Sequence, residues 1–431
     1  MTPNFTSDTA RKLAAARDLL AVLAFCAAVF YGGRAFINSP WLQKERVTQR
    51  EAAADIESFF RQLRETRPAP APGETAPDLG DLKAEALAQA DARLDEFRRV
   101  SVRDLAFILY RSAAAFGDSA TRLTWQLPRK YKDPALKLPP FTAAYLDDRF
   151  ILDRAADPAL AGAELLEVNG VRLQEFLRPA LERVSAETPR LRAWLFCRDQ
   201  LFWWEFANLI AQDKPLEVKV RTEGGKVLRK KLAPVTAGEF RRLSARHTTL
   251  TKMIYAQSRL ALLKVPDLAP SRSSRRAYDE FFLELKDKNV ETLALDLREA
   301  ASGDAAGADY LLGFFGGWLK GPMEKFSGKT FLLTGPGTGP AAAQFAARFR
   351  DLKAGEILGE ETGGTPGYFG DPETFTLPAS GLKYSVASRR YPHPAAIPGG
   401  VRPDIALAAA SLRPFGDIKT LLLKLKAGPV K

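Results

Sequence analysis

With 431 residues, 46% of them hydrophobic and 26% charged, the chain is long enough for about three packed domains and too apolar for a disordered tail protein. A net charge of +12 invites a nucleic-acid reading, but Lys and Arg are spread along the whole chain and no nucleic-acid module is recognisable. A basic surface beside anionic lipid is the better explanation, and two cysteines with two distant histidines, His247 and His393, cannot assemble a metal cluster, so neither metal nor cofactor is expected.

In chain order, residues 1–17 carry Arg11, Lys12 and Arg17 and read as a cytoplasmic tail. The uncharged run Leu19 to Gly33 follows. At about 1.5 Å per residue it falls short of a ~30 Å hydrocarbon core unless it extends to Ile37 with Arg34 snorkelling. A cleaved signal needs small residues after the apolar run, where Val29, Phe30 and Tyr31 stand, and Phe25 before Cys26 disfavours a lipoprotein. The expectation is therefore an uncleaved transmembrane anchor over 18–38, with the bulk of the chain extracytoplasmic, periplasmic or at the cell surface. A buried helix of a soluble domain is the alternative. Cys197 then has no exported partner, and disulfides contribute nothing.

Val47, Ile56, Phe59, Phe60 and Leu63 recur at helical spacing and predict a stalk helix within 39–66. A proline-rich spacer over 67–80 ends it. A helical subdomain over 81–128 has Leu105, Leu109, Ala113 and Phe116 on one face. Residues 129–250 mix helices with short strands, among them Leu216 to Arg221 and Lys226 to Leu232 around the Gly224-Gly225 hairpin turn. The aromatic segment with Trp194, Phe196, Phe202, Trp203 and Trp204 reads as core, with a groove for apolar peptide side chains as the alternative. Over 251–415, buried-strand runs at 292–298, 331–333 and 356–359 alternate with helical patterns at 304–319 and 341–352. That alternation predicts βαβ crossovers and a parallel sheet. A C-terminal helix closes the chain over 416–431.

The turn after the second of these strands, Gly335-Pro336-Gly337-Thr338-Gly339-Pro340, is glycine-rich and opens a helix, with Pro340 at a position that suits proline. It is not a phosphate cradle, because neither Gly-Lys-Ser/Thr nor Gly-x-Gly-x-x-Gly with an acidic partner is present. Five fragments instead follow a family's order: Leu285 to Arg298, Phe331 to Ala346, Gly359-Glu360-Glu361-Thr362-Gly363-Gly364, Leu377 to Leu382, and Gly400 to Ile405. Together they resemble the C-terminal-processing (tail-specific) serine peptidases. Gly162 to Val171 resembles a turn of the PDZ-like or neighbouring β modules of such proteins. The resemblance implies an α/β fold with a ClpP/crotonase-like core, a helical N-terminal region and a PDZ-like or mixed β module.

It also implies where chemistry belongs. Acyl transfer needs a nucleophile, a base within hydrogen-bond reach and oxyanion donors. The family's serine position matches Pro340, its lysine position Thr365, and the histidine used by other members Ala120. None of the three can serve. In the oxyanion loop, Arg298 to Gly303, the usual Asn is Ala300 and the first of two glycines is Ser302. The implied substrate-binding positions are Ser302, Gly303, Gly339, Ala341 and Gly364, and no catalytic residue is assigned. The expectation is a membrane-anchored pseudo-peptidase that binds polypeptide or a partner protein. The alternatives are an active hydrolase using Ser302, Thr338 or Thr365 with His393 or a lysine, and an assembly factor that uses its stalk as a spacer.

Overall fold

The computed structural model describes residues 45–70, 76–124, 136–198, 200–211, 215–245, 249–269, 271–319, 325–393, 399–407 and 415–427. Among these no helix is long and apolar enough to cross a membrane. The expected cytoplasmic tail and the anchor at 18–38 lie outside the described residues, as does His247.

Strand β1 (Arg46–Thr48) leads into helix α1 (Gln49–Thr66), whose start is fixed by a reciprocal capping box between Thr48 and Glu51. The apolar face foreseen for a stalk is buried: Ile56, Phe59, Phe60 and Leu63 are at most 2% exposed. They pack with α2 (Leu79–Asp91), α3 (Val102–Ala114) and Leu377, Leu382, Tyr384 and Val386 from far along the chain. A helix with four large apolar groups on one face gains more from that burial than from standing free, so α1 is a core element and not a spacer. The proline-rich linker is also shorter than the sequence suggests, since α2 starts at Leu79 and Arg67 is the C-cap of α1. β2 (Arg99–Ser101) pairs with β1, and β3 (Arg122–Thr124) ends the unit.

Asp55, on α1 and fully buried, ties this unit to the distant segment by accepting the backbone N–H groups of Ala379 and Ser380 at 2.8 Å each. Asp55→Asn keeps one acceptor and orphans one buried N–H. The expected cost is about 2 kcal/mol in urea unfolding at neutral pH.

The middle of the chain is an antiparallel module. Its strands β4 (Phe141–Leu146), β5 (Arg149–Ala155), β6 (Glu164–Val168), β7 (Leu216–Arg221) and β8 (Val227–Leu232) lie in the order β8-β7-β6-β5-β4. Helices α4 (Leu173–Leu181), α5 (Pro189–Arg198), α6 (Gln200–Ala211) and α7 (Ala237–Ser244) accompany it. The aromatic segment divides here. Phe196 and Phe202 join the module's core with Phe141 and Phe206, whereas Trp194 sits in a separate small cluster with Ala186 and Leu191.

The third unit is a mixed sheet of β9 (Thr251–Tyr255), β10 (Leu260–Lys264), β11 (Thr292–Asp296), β12 (Lys329–Thr334), β13 (Glu356–Gly359) and β16 (Ile405–Ala406), in that order. All pairs are parallel except β9 with β10. The helices α8 (Arg272–Asp287), α9 (Ala305–Gly316) and α10 (Pro340–Asp351) cross over between successive strands, and Phe281, Phe282, Phe314, Phe315, Phe345 and Phe349 pack in one cluster beside the sheet. On the opposite face α11 (Phe415–Ala427) contributes Ile418, Leu422 and Leu425 against Leu262, Phe331 and Leu358. With both faces covered, the inner strands are buried throughout, as all five residues of Thr292 to Asp296 are, with Leu293, Ala294 and Leu295 as its apolar centre. A hairpin of β14 (Tyr368–Thr376) and β15 (Lys383–Tyr391) then returns to the first unit, where β15 pairs with β3.

Candidate functional site

The parallel strands end in step: Asp296 stands opposite Leu333 and Thr334 opposite Gly359. Three loops therefore leave the same sheet edge, Leu297 to Gly303, Gly335 to Gly339, and Glu360 to Thr365. The carboxyl ends of parallel strands are the usual place for a ligand in open α/β sheets.

These loops are locked together through backbone groups. Thr338 donates its hydroxyl to the Leu297 carbonyl at 2.9 Å and accepts the Gly335 N–H at 3.0 Å. The N–H of Gly339 reaches the Ala300 carbonyl at 3.0 Å, and that of Gly364 the Thr338 carbonyl at 2.8 Å. Such approaches need glycine. A Cβ on Gly339 would lie 2.4 Å from the Ala301 oxygen, and one on Gly364 would lie 2.4 Å from both the Gly339 carbon and the Pro340 nitrogen.

Of the positions singled out in the sequence, Gly339, Pro340 and Gly364 are thus brought into one contact set, Ala341 follows Pro340 on α10, and all four are buried. Pro340 opens α10 behind Gly339 as N-cap, where its missing N–H costs nothing. Thr365, half-buried, spends its hydroxyl on the Gly367 carbonyl at 2.6 Å. Ser302 and Gly303 are exposed, two to three residues beyond the locked part of their loop, and pair with Asp267 and Leu268. Ala120 belongs to a second wall. Its carbonyl accepts the Ser385 hydroxyl at 2.7 Å, and neighbouring Ser119 donates N–H and hydroxyl to Glu187 at 2.9 and 3.0 Å. Thr188, one residue on, donates to the Gly363 carbonyl at 2.5 Å and so joins that wall to the glycine turn.

Two candidate groups fall away. Thr338 is fully buried with both hydroxyl functions committed, so it has no free lone pair aimed at solvent. His393 faces Asp351 at 3.8 Å; eleven residues at 1.5 Å per residue put Asp351, at the far end of α10, about 16 Å from Pro340, so an imidazole turned to that carboxylate stays beyond hydrogen-bond reach of Pro340. That orientation removes it as a base for this turn. Ser380 donates its N–H to Asp55 and accepts from Leu382, a structural role.

Helix α5 lies over the glycine turns. A Cβ on Gly337 would be 2.3 Å from Cε2 of Trp194, and one on Gly363 would be 3.1 Å from Cβ of Leu191. Arg198 stacks at 4.6 Å on Trp194 and pairs with Glu299, which Lys264 also holds at 2.8 Å. Burial would raise the Glu299 carboxyl, but these two cations outweigh it and hold it at about 2. Arg298 turns back on Asp296 with two bonds, 2.9 and 2.8 Å, and is not directed at a ligand. Glu360 behaves oppositely: burial, with the charge of Asp147 adding, pushes its carboxyl up to about 7. Glu187 also reaches about 7, first through burial and against the hydrogen bonds of Ser119. Trp194, Glu187 and Glu360 carried no signal as a group in the sequence, because more than 170 positions separate Glu187 from Glu360.

Residues 259–407 match the model of peptidase family S41. Comparison with curated proteins gives no match. Among solved structures, mature CPAF complexed with lactacystin is 14% identical at a TM-score of 0.61, over 88% of this chain and 98% of that one. A CPAF mutant is 14% identical at 0.59, over 86% and 96%. At these identities the likeness is one of fold, and the chain spans nearly the whole of both. The photosystem II D1 C-terminal processing protease aligns at 14% identity over 86% of this chain and 97% of that one, with a TM-score of 0.46. The sheet edge with both glycine turns, the locked Pro340 and the helices behind it therefore lie in a peptidase family S41 domain, residues 259–407.

Proposed function

We propose that this S41-family chain is a pseudo-peptidase that holds polypeptide or a partner protein without cleaving it. The observation that carries the reading is Pro340, buried between Gly339 and Gly364 at the head of α10, where the resemblance places the nucleophile. Around it the Thr338 and Thr365 hydroxyls are engaged and His393 is out of reach. In this reading the S41 domain is ClpP/crotonase-like and the antiparallel module PDZ-like. An extended segment can still add to a sheet edge through backbone hydrogen bonds when catalysis is gone. The anchor over 18–38 would place the binding face outside the cytoplasm.

Incubating the purified chain with denatured casein and a serine-reactive phosphonate should give neither turnover nor labelling. Fluorescence anisotropy with unstructured polypeptides should show saturable binding. Turnover and labelling that vanish in Ser302→Ala would replace this reading by an active hydrolase, since Ser302 is the exposed hydroxyl of the oxyanion loop.

A further inference from the structure

Glu187 and Glu360 share an arrangement at two points of one seam. Glu187 belongs to the middle module and receives the N–H and hydroxyl of Ser119 from the first unit on Oε1. Its Oε2 is sealed from solvent with no hydrogen-bond partner. Glu360 belongs to the S41 domain and receives the Asp147 N–H of the module's β4–β5 turn on Oε2, at 3.1 Å. Its Oε1 is likewise sealed and unpartnered. An ionised carboxylate leaves charge on both oxygens, and a buried oxygen without a donor makes that costly; a neutral acid avoids it. The surroundings add to this. Asp118 faces Glu187, with the Arg67 cation committed to Asp118 at 3.0 Å. Asp147 and Asp148 face Glu360, and Arg190 is committed to Asp148 at 2.6 Å. Arg298, the other cation near Glu360, is bound to Asp296, and the Tyr145 phenol completes the surroundings.

We propose that the middle module is held against the first unit and the S41 domain by a proton-linked latch, in which Glu187 and Glu360 must both be neutral for the seam to stay closed. Both acids titrate near pH 7 when docked and would ionise near 4.5 once exposed. A carboxyl whose docked value is raised favours docking fully below its free value, and that preference is lost as the pH climbs to the docked value. The seam is therefore tightest below about pH 5 and opens progressively up to about pH 7. Opening would lift α5, with Trp194 and Leu191, from the glycine turns.

The test is hydrogen exchange of the full chain, read by mass spectrometry in the peptides that hold the Ser119 and Asp147 amides and corrected for intrinsic rates. Between about pH 5 and 7 the opening constant should rise about tenfold per unit for each carboxyl that governs it. In the Glu187→Gln/Glu360→Gln double variant the profile should be flat, because glutamine still accepts the N–H but cannot ionise. Each single variant should remove only its own share of the slope. A flat profile in the unsubstituted chain overturns the latch whether or not the variants fold. An unchanged slope in either single variant or in the double variant overturns it as well. Polypeptide binding is not the readout, so the result stands apart from the proposed function.

Discussion

Replacing Arg67 by leucine is expected to lower the unfolding free energy by about 3–5 kcal/mol, the range for stripping a buried charge of its partner. Arg67 closes α1, pairs with Asp118 at 3.0 Å, and stacks at 3.9 Å on Phe369 and 5.0 Å on Phe116. The side chains of the pair are 9% and 2% exposed, so water cannot take over for the missing cation. Burial is the largest influence on Asp118 and already raises its carboxyl against the pull of Arg67; without Arg67 it rises further. A carboxyl raised in the folded state costs stability as the pH climbs toward its folded value. The deficit of Arg67→Leu should accordingly shrink on acidification, when Asp118 can bind a proton. Arg67→Leu/Asp118→Asn should recover much of the loss near neutral pH, since the orphaned charge is gone while Thr121 keeps its acceptor. Urea unfolding of the four proteins at two pH values decides the matter; additive losses in the double variant would rule out the orphaned charge as the cause.

Gly363→Ala is expected to cost about 3 kcal/mol or more, at the upper end for overpacking. Its Cβ would lie 1.9 Å from the Pro336 carbonyl oxygen and 3.1 Å from Cβ of Leu191. The nearest obstacle is backbone, which no rotamer change can move. Gly381→Ala provides the contrast. Nothing lies within 4 Å of its Cβ, but φ is +70°, so only the left-handed conformation resists and about 1–2 kcal/mol is expected. Equal losses at the two sites would show that the glycine turns do not approach each other as described.

Much of the S41 domain was legible because its signals are local. The continuous apolar runs of β11 and β12 declare strands buried on both faces, and Asp304 and Gly317 mark the two ends of α9. Pro340 at the first position of α10 could also be read directly, since proline tolerates few other places in a helix. The role of α1 could not be read. Its amphipathic face says that something covers it, but Leu377, Leu382 and Tyr384 lie more than 300 positions away. Nor could His393 be set aside from sequence alone, because its contact with Asp351, at the far end of α10 from Pro340, is a tertiary one.

By itself the sequence determined which atoms are available: at the positions where the resemblance places nucleophile and base it offers Pro340, Thr365 and Ala120, and no folding can give a proline or an alanine side chain a nucleophilic atom. Only the tertiary structure decided what the remaining polar groups can do. It engaged the hydroxyls of Thr338 and Thr365, carried His393 to the wrong end of a helix, and sealed one oxygen each of Glu187 and Glu360 inside a seam. Composition is written residue by residue, whereas solvation and proximity arise from segments meeting across the chain, and these set the state of a buried acid.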